Sequence, residues 1–502
     1  MEVLNMTNVK TLAENLISYI ETLRPVIWIR HEHYPDVEEI LTEVKKELNT
    51  RVFTFDLARG LVDSRGGRGS IQDALEVIRI VEMEERGLLV LRDAHVVLKD
   101  ERVIAAIRYV AERTLRGETF EVTTVLLAPR VQIPVELEHL TTVFEFPQPN
   151  DENLRDLVQS FAREQEFSVD SRTEDTMVAA CRGLRKLDVQ QILRKAYHLH
   201  GTLGKGSQQI VQEEKEHVLR KNGKIELIKT DVSIKDLGGL ENLKIWLNKK
   251  KKIFDRMEEA KQAGVDSPRG MLIVGMPGCG KSIAAKATAV EFGVPLLRLD
   301  IGRLMGKYVG ESEENLSQAL RIAEGMSPCV LWIDELEKAF AGVGQEDGGG
   351  SVTTRLFGHF LTWMQERTRP VFIVATANNV SGLPREFSRK GRFDEIFAVE
   401  LPGPRERHSI LEIHLRKRKC TIKNLDLDEL ADITQDFNGA DIEALVKEAV
   451  EQAFLGDRAV TTKSLSQIAK KMNGFASIHI QEIRDLRTQL AKLGARPAGN
   501  QD

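Results

Sequence analysis

Between residues 275 and 282 the chain reads Gly-Met-Pro-Gly-Cys-Gly-Lys-Ser, after the apolar run Met271–Val274 and before a stretch of helical character. Gly275, Gly278 and Gly280 let the backbone turn its N–H groups inward, and the N-terminus of the following helix adds positive potential. With Pro277, Cys279 and Ile283, these residues make a loop suited to phosphate groups. Lys281 can reach the terminal phosphates of a nucleoside triphosphate, and Ser282 can ligate Mg²⁺. About fifty residues further on, the apolar run Val330–Ile333 ends in two adjacent acids, Asp334 and Glu335. Asp334 is placed to hold the metal through water, and Glu335 to orient or deprotonate an attacking water. A glycine-rich turn with a solvated lysine would explain the loop alone. The strand–loop–helix setting and the acid pair together imply binding of a nucleoside triphosphate with Mg²⁺ and attack on it by water.

These residues need elements to hold them. The 502 residues suggest two to four domains at about 150 residues each. Apolar runs alternate with amphipathic segments from about Leu23 to Tyr197, with strands expected at Val26–Ile29, Val52–Phe55, Leu88–Leu91 and Val125–Ala128. A second alternation runs from Ile234 to about Leu401, with strands at Met271–Val274, Leu296–Leu299, Cys329–Ile333, Val371–Ala375 and Ile396–Val399. Both read as α/β, a mostly parallel sheet flanked by helices. The polar stretch between them, Gly201–Lys224, reads as a linker with some helical character, and the pattern turns helical beyond Arg405. The expected organisation is an α/β domain over 1–205, a linker over 206–230, a large α/β domain over 231–404, a helical lid over 405–475, and a helix with a polar tail over 476–502.

Composition excludes several classes. With 71 basic and 76 acidic residues the net charge is −5, so nothing global draws the chain to nucleic acid or acidic lipid. The four cysteines are far apart and encode neither a zinc site nor a disulfide framework. No apolar run approaches the ~20 residues of a membrane span. The first twenty residues carry Glu2, Lys10 and Glu14 and do not read as a signal peptide.

Four further stretches, in order, carry a resemblance to the AAA family of ring-forming ATPases over Ile234 to about Ala453. Asp236-Leu-Gly-Gly-Leu240 resembles the lead-in segment that packs on the adenine, which assigns Leu237 and Gly238 to ATP. Val374-Ala-Thr-Ala-Asn378 resembles the strand carrying a sensor asparagine that helps Glu335 hold the lytic water. Arg389-Lys-Gly-Arg392-Phe-Asp394 is similar to the paired arginines that one subunit inserts into its neighbour's site. Gly439-Ala-Asp441 matches the lid, implying that Gly439 and Ala440 border the nucleotide. Lys307, Tyr308 and Val309 fall where AAA unfoldases carry an aromatic pore loop that grips a polypeptide; Gly348-Gly-Gly350 could form a second loop, or a surface connection. The wording around Trp332, Trp363, Asn379 and Phe397 is most similar to divergent AAA proteins encoded in plastid and cyanobacterial genomes, a plastid reading-frame family. The resemblance implies a homo-oligomeric ring, a hexamer by analogy, acting on an unidentified protein client in the cytoplasm or the plastid stroma.

The first half reads as a worn copy. Phe144-Glu-Phe-Pro147 parallels Val399-Glu-Leu-Pro402, and Asp188–Ala196 parallels Asp441–Ala449, at offsets of 255 and 253 residues. At the loop position it has Arg30-His-Glu-His-Tyr34, after the second strand Arg92-Asp93, and at the sensor position Ala128-Pro129-Arg130. A non-hydrolysing, degenerate AAA-like domain is expected. His31 and His33 would share one strand face and could touch a metal, with no third ligand evident. Lys249–Lys252 read as a solvated face, Cys279 as a conceivable oxidation point, and Ile483, Leu486, Leu490 and Leu493 as a docking helix. The expected function is an ATP-driven remodeller of proteins or complexes. The alternative is a regulatory scaffold whose first half docks a partner and whose ATPase times release.

Overall fold

The computed structural model describes residues 9–63, 71–84, 86–117, 121–305, 311–340, 350–389 and 391–500. The chain divides into two compact units: Met1–Ala179 with Leu184–His198, and Ala180–Gly183 with Leu199–Asp502.

In the first unit, six strands are β1 (Val26–Arg30), β2 (Val52–Asp56), β3 (Gly60–Asp63), β4 (Arg86–Leu91), β5 (Glu121–Ala128) and β6 (Thr141–Glu145). They form one sheet in the order β3-β2-β4-β5-β1-β6, parallel except for β3. Val26, Ile27, Trp28 and Ile29 are all fully buried, as strands covered on both faces must be. One face packs on the helices Val9–Glu21 and Tyr34–Leu48, the other on Ala74–Val81 and Glu101–Arg116. The helices Asp151–Glu164, Ser171–Cys181 and Lys186–His200 follow.

The second unit contains β7 (Ile225–Ile228), β8 (Gly270–Gly275), β9 (Leu296–Leu299), β10 (Cys329–Ile333), β11 (Val371–Ala377), β12 (Glu395–Val399) and β13 (Arg496–Pro497), ordered β13-β12-β8-β11-β10-β9-β7. Its parallel series β12-β8-β11-β10-β9 repeats the series β6-β1-β5-β4-β2, and each ends in an antiparallel strand, β7 or β3. The fold is therefore α/β with two modules of one topology. Beyond β12, the helices Pro404–Lys417, Leu427–Ile433, Gly439–Leu455 and Thr462–Ala469 pack around their own core of Leu411, Leu415, Leu430, Leu445 and Leu465.

Three expectations change. Residues 206–230, expected as a linker with some helical character, are more ordered than that: Lys205–Asn222 is one helix, and β7 joins the sheet against β9. Only a sparse stripe, with Val211 and Leu219 buried, anchors that helix among charged residues, too thin to show as a period. The polar tail likewise supplies β13, pairing Arg496 and Pro497 with Phe397 and Ala398. The histidines also differ: β1 stops at Arg30, so His31 and His33 lie in the loop beyond it, both within 4 Å of Asp36. No group of three or more His, Cys, Asp or Glu able to hold a metal ion occurs among the described residues. No described helix is long and apolar enough to cross a membrane.

Candidate active site

The β8 strand delivers Gly275 to the start of the phosphate loop, and the helix Lys281–Phe292 leaves it. Gly278 and Gly280 hold φ of +72° and +87°, a region that a side chain would strain. A Cβ at Gly278 would also come within 2.6 Å of Asn438 Nδ2, so the cradle closes only around glycine. Lys281 is buried, and its Nζ donates to the carbonyls of Gly275 (2.8 Å) and Met276 (2.7 Å). Burial pushes its pKa down to about 8, opposed by Glu337, Asp334 and Glu335 among other nearby groups. The loop and the acids are thus one electrostatic site.

The lid closes one side. Asn438 Nδ2 donates to Pro277 O (3.1 Å), and the Ala440 amide donates to Gly278 O (3.1 Å). On the other side Leu237 is buried with Cδ1 3.4 Å from where a Cβ of Gly280 would stand, and Gly238 lies against Ile410 of the lid's first helix. Ser282 and Ile283 lie in the first turn after the loop. Cys279 accompanies them, and burial pushes its thiol up to about 12, the opposite of what easy oxidation requires.

The acid pair sits beyond β10. Asp334 Oδ1 accepts from the Thr376 hydroxyl of β11, whose Oγ1 also accepts from the Glu335 amide at 3.4 Å. Glu335 has φ +52° and caps the short helix Leu336–Ala339, its carboxylate turned to Lys338 Nζ at 2.8 Å. Asn378 follows β11, and its amide donates to Glu337 Oε1 (3.1 Å). Glu337 is buried and its Oε2 has no hydrogen-bond partner.

The arginines stand elsewhere. Arg389 is exposed, while Arg392 is half-buried and donates from Nη1 to Leu361 O (2.6 Å). Burial, then Arg389 and Arg269, lowers the Arg392 pKa. A cavity of about 600 Å³ adjoins them, lined by Asp266, Arg269, Arg389, Phe387, Phe393 and Leu493 among others. This cavity borders the start of β8, where Arg269 and Gly270 donate their amides to Asp394 Oδ2 (2.9 and 3.2 Å) and Arg269 Nη1 donates to Gly391 O. The phosphate loop lies at the other end of that six-residue strand, roughly 20 Å away. Lys307, Tyr308 and Val309 lie outside the described residues, as do Gly348 and Gly349.

At the matching place in the first unit the loop is three residues, His31–His33, against five, Met276–Gly280. Two of its three amides are spent internally: His31 N donates to Ala128 O (3.2 Å) and His33 N to His31 Nδ1 (3.0 Å). Leu91 pairs Leu126 as Ile333 pairs Ala375 through their strands, which sets Arg92 and Asp93 opposite Asp334 and Glu335. Asp93 even shares the left-handed backbone, φ +54°. Its carboxylate accepts from Tyr34 Oη (2.7 Å), and buried Arg92 pairs with Glu38 and Asp56.

Sequence comparisons meet this geometry. The model described as "ATPase family associated with various cellular activities (AAA)" matches residues 271–401, and an AAA+ lid domain matches 424–464. SpoVK-like AAA ATPase models match 12–146 as N-terminal domain and 152–222 as second domain. An "uncharacterized AAA domain-containing protein ycf46" of Trieres chinensis is 34% identical over 481 residues, 95% of this chain and 96% of that protein. The protein of that name from Guillardia theta is 33% identical over 92% of this chain and 91% of its own length. The chain belongs to the AAA family. A cell division cycle protein 48 homolog of Archaeoglobus fulgidus is 34% identical over 45% of this chain and 31% of that protein.

Within this AAA protein, the structure brings together the residues of the loop, the acid pair, the sensor position, the lid and the lead-in segment. It does not bring the two arginines to them. Sequence reading missed Thr376, Glu337 and Asn438. Glu337 left one usable signal, a third acid two places after Glu335.

Proposed function

We propose that this AAA protein is a Mg²⁺-dependent ATPase that works as a closed ring, a hexamer by family analogy, and remodels proteins or protein complexes. The observation that supports the ring is that Arg389 and Arg392 lie at the far end of β8 from their own phosphate loop, a position that suits contact with a neighbour's nucleotide. The phosphates lie on the amides of residues 278–282, and Lys281 exchanges two carbonyls for phosphate oxygens. Leu237, Gly238, Gly439 and Ala440 flank the base. Ser282 and Asp334 would hold Mg²⁺, which supplies charge neutralisation at the terminal phosphates. Glu335 leaves Lys338 and takes the proton of the attacking water, with Asn378 orienting that water. Arg389, exposed and without the backbone tie that holds Arg392, reaches across first.

Turnover measured against protein concentration, with mass determined in parallel, tests this reading. Activity rises cooperatively as the ring assembles. Glu335→Gln lowers kcat by roughly 10²–10⁴, and Arg389→Ala lowers it by about 10³–10⁵ in rings that still form. A monomer turning over at full rate, indifferent to Arg389→Ala, removes the ring mechanism. Client handling rests on Tyr308, and Tyr308→Ala abolishes stimulation by unfolded polypeptide if threading operates. The scaffold reading draws on the internally closed loop of the first unit, which suits a non-hydrolysing docking platform. Slow turnover unaffected by polypeptide, with partner binding locked by ATP, selects it. The setting proposed for either is the cytoplasm or the plastid stroma.

A further inference from the structure

The last described residues of the chain end against the lead-in segment of the nucleotide site. Ala498, fully buried, donates its amide to Ala398 O (2.9 Å) on β12 and accepts from the Leu243 amide (3.1 Å). Asn242 Nδ2 donates to Pro497 O (3.2 Å) and Gly499 O (2.7 Å). Three successive tail carbonyls are therefore taken by the first turn of the helix Glu241–Phe254, which begins directly after Leu237–Leu240.

A single carboxylate joins that turn to the lid. Glu406, in the first turn of the helix Pro404–Lys417, accepts from the Leu240 amide through Oε1 (2.9 Å) and from the Gly403 amide through Oε2 (3.1 Å). Its side chain fills the space that a Cβ would need at Gly239, at φ +72°, and at Gly499. The lead-in segment, the lid hinge and the tail meet at Glu406, and only glycine fits on either side of it. Leu237 in turn rests beside Gly280, and Leu240 and Ala498 share one apolar core.

We propose that Glu406 and the tail Arg496–Gly499 form a positioning clamp that holds the base-side wall of the nucleotide site against the lid. The clamp touches no phosphate and takes no part in proton transfer. It fixes where Leu237 and Gly238 stand when nucleotide arrives, so it acts on affinity rather than on the hydrolytic step. Coupling of this kind is reciprocal, so nucleotide must tighten the tail by the same factor that the tail tightens nucleotide. The proposal rests on the site at residues 275–282 being the nucleotide site.

Hydrogen exchange of the full-length protein with and without ADP tests it directly. The Leu243, Leu240 and Ala498 amides slow several-fold on ADP binding, together with those of the phosphate loop. Protection of the loop amides without any change at these three overturns the clamp and leaves the tail a structural strand. Absence of loop protection instead overturns the nucleotide site itself. In parallel, Glu406→Ala and Gly499→Val raise KM for ATP about tenfold with kcat at saturation held within twofold, and Glu406→Gln restores most of the affinity. Equal losses in kcat and kcat/KM, or an unchanged KM in variants that melt as the parent does, overturn the clamp as well.

Discussion

Lys281 carries the sharpest consequence at the scale of single residues. Its ordinary value is 10.5, and burial in the closed loop brings it to about 8. A lysine whose folded value lies below its unfolded value gives a nucleotide-free protein that gains stability as pH rises from about 8 toward 10.5. Phosphate oxygens reverse the sign, because an adjacent anion favours the charged lysine and draws its pKa up again. ATP binding should therefore take up a fraction of a proton at pH values around and above 8, and weaken as pH rises through that range. Calorimetry at pH 8 in two buffers of different ionisation enthalpy measures this. Equal apparent heats would show that Lys281 is already fully charged in the empty loop. Glu335 shows a second feature of this scale, since its left-handed backbone places the carboxylate at a strand end, where Lys338 engages it. The identities of Lys281, Asp334 and Glu335 were legible because each lies within a few residues of the strand that presents it. Thr376 and Glu337 were not, since their partners arrive from a neighbouring strand some forty residues away in sequence.

At the scale of elements, the helix Ile480–Leu493 separates two readings of one pattern. Its apolar residues follow a helical spacing that suits docking on a partner, yet Ile483, Leu486 and Leu490 are buried in the core that also holds Leu272 and Val274. A docking helix could lose an apolar side chain without cost to the fold, whereas a core helix could not. Leu486→Ala should destabilise the second unit by about 2–5 kcal/mol, lowering its Tm by roughly 5–15 °C. An unchanged melting curve would return the helix to a docking role. The same limit explains why the strands β7 and β13 were not visible in the segment 206–230 and in the tail. A period shows that one face is apolar, but not which surface covers it, and strands of two and four residues are too short to show any period. Long buried runs such as Cys329–Ile333 and Val371–Ala377 were visible because strands covered on both faces are apolar throughout.

The whole molecule repeats one sheet topology and, in our reading, keeps chemistry in only one copy. Loss of glycines and a lysine could leave a weak nucleotide pocket, so sequence alone does not empty the first unit. The stronger argument is that two of the three amides in its loop, those of His31 and His33, already have acceptors in the chain. Arg92 then puts a fixed cation, paired with Glu38 and Asp56, at the position where Asp334 would serve a metal ion. Opening that arrangement for a triphosphate would break the two ion pairs that buried Arg92 makes with Glu38 and Asp56, a cost that nucleotide binding would have to overcome. Equilibrium titration of the intact chain should therefore give one ATP per chain, and Lys281→Ala should remove binding entirely rather than leave a second, weaker class of site. A residual site in the Lys281→Ala protein would mean that the Arg92 network opens, and the first unit would then have to be counted as a nucleotide sensor instead of a fixed platform.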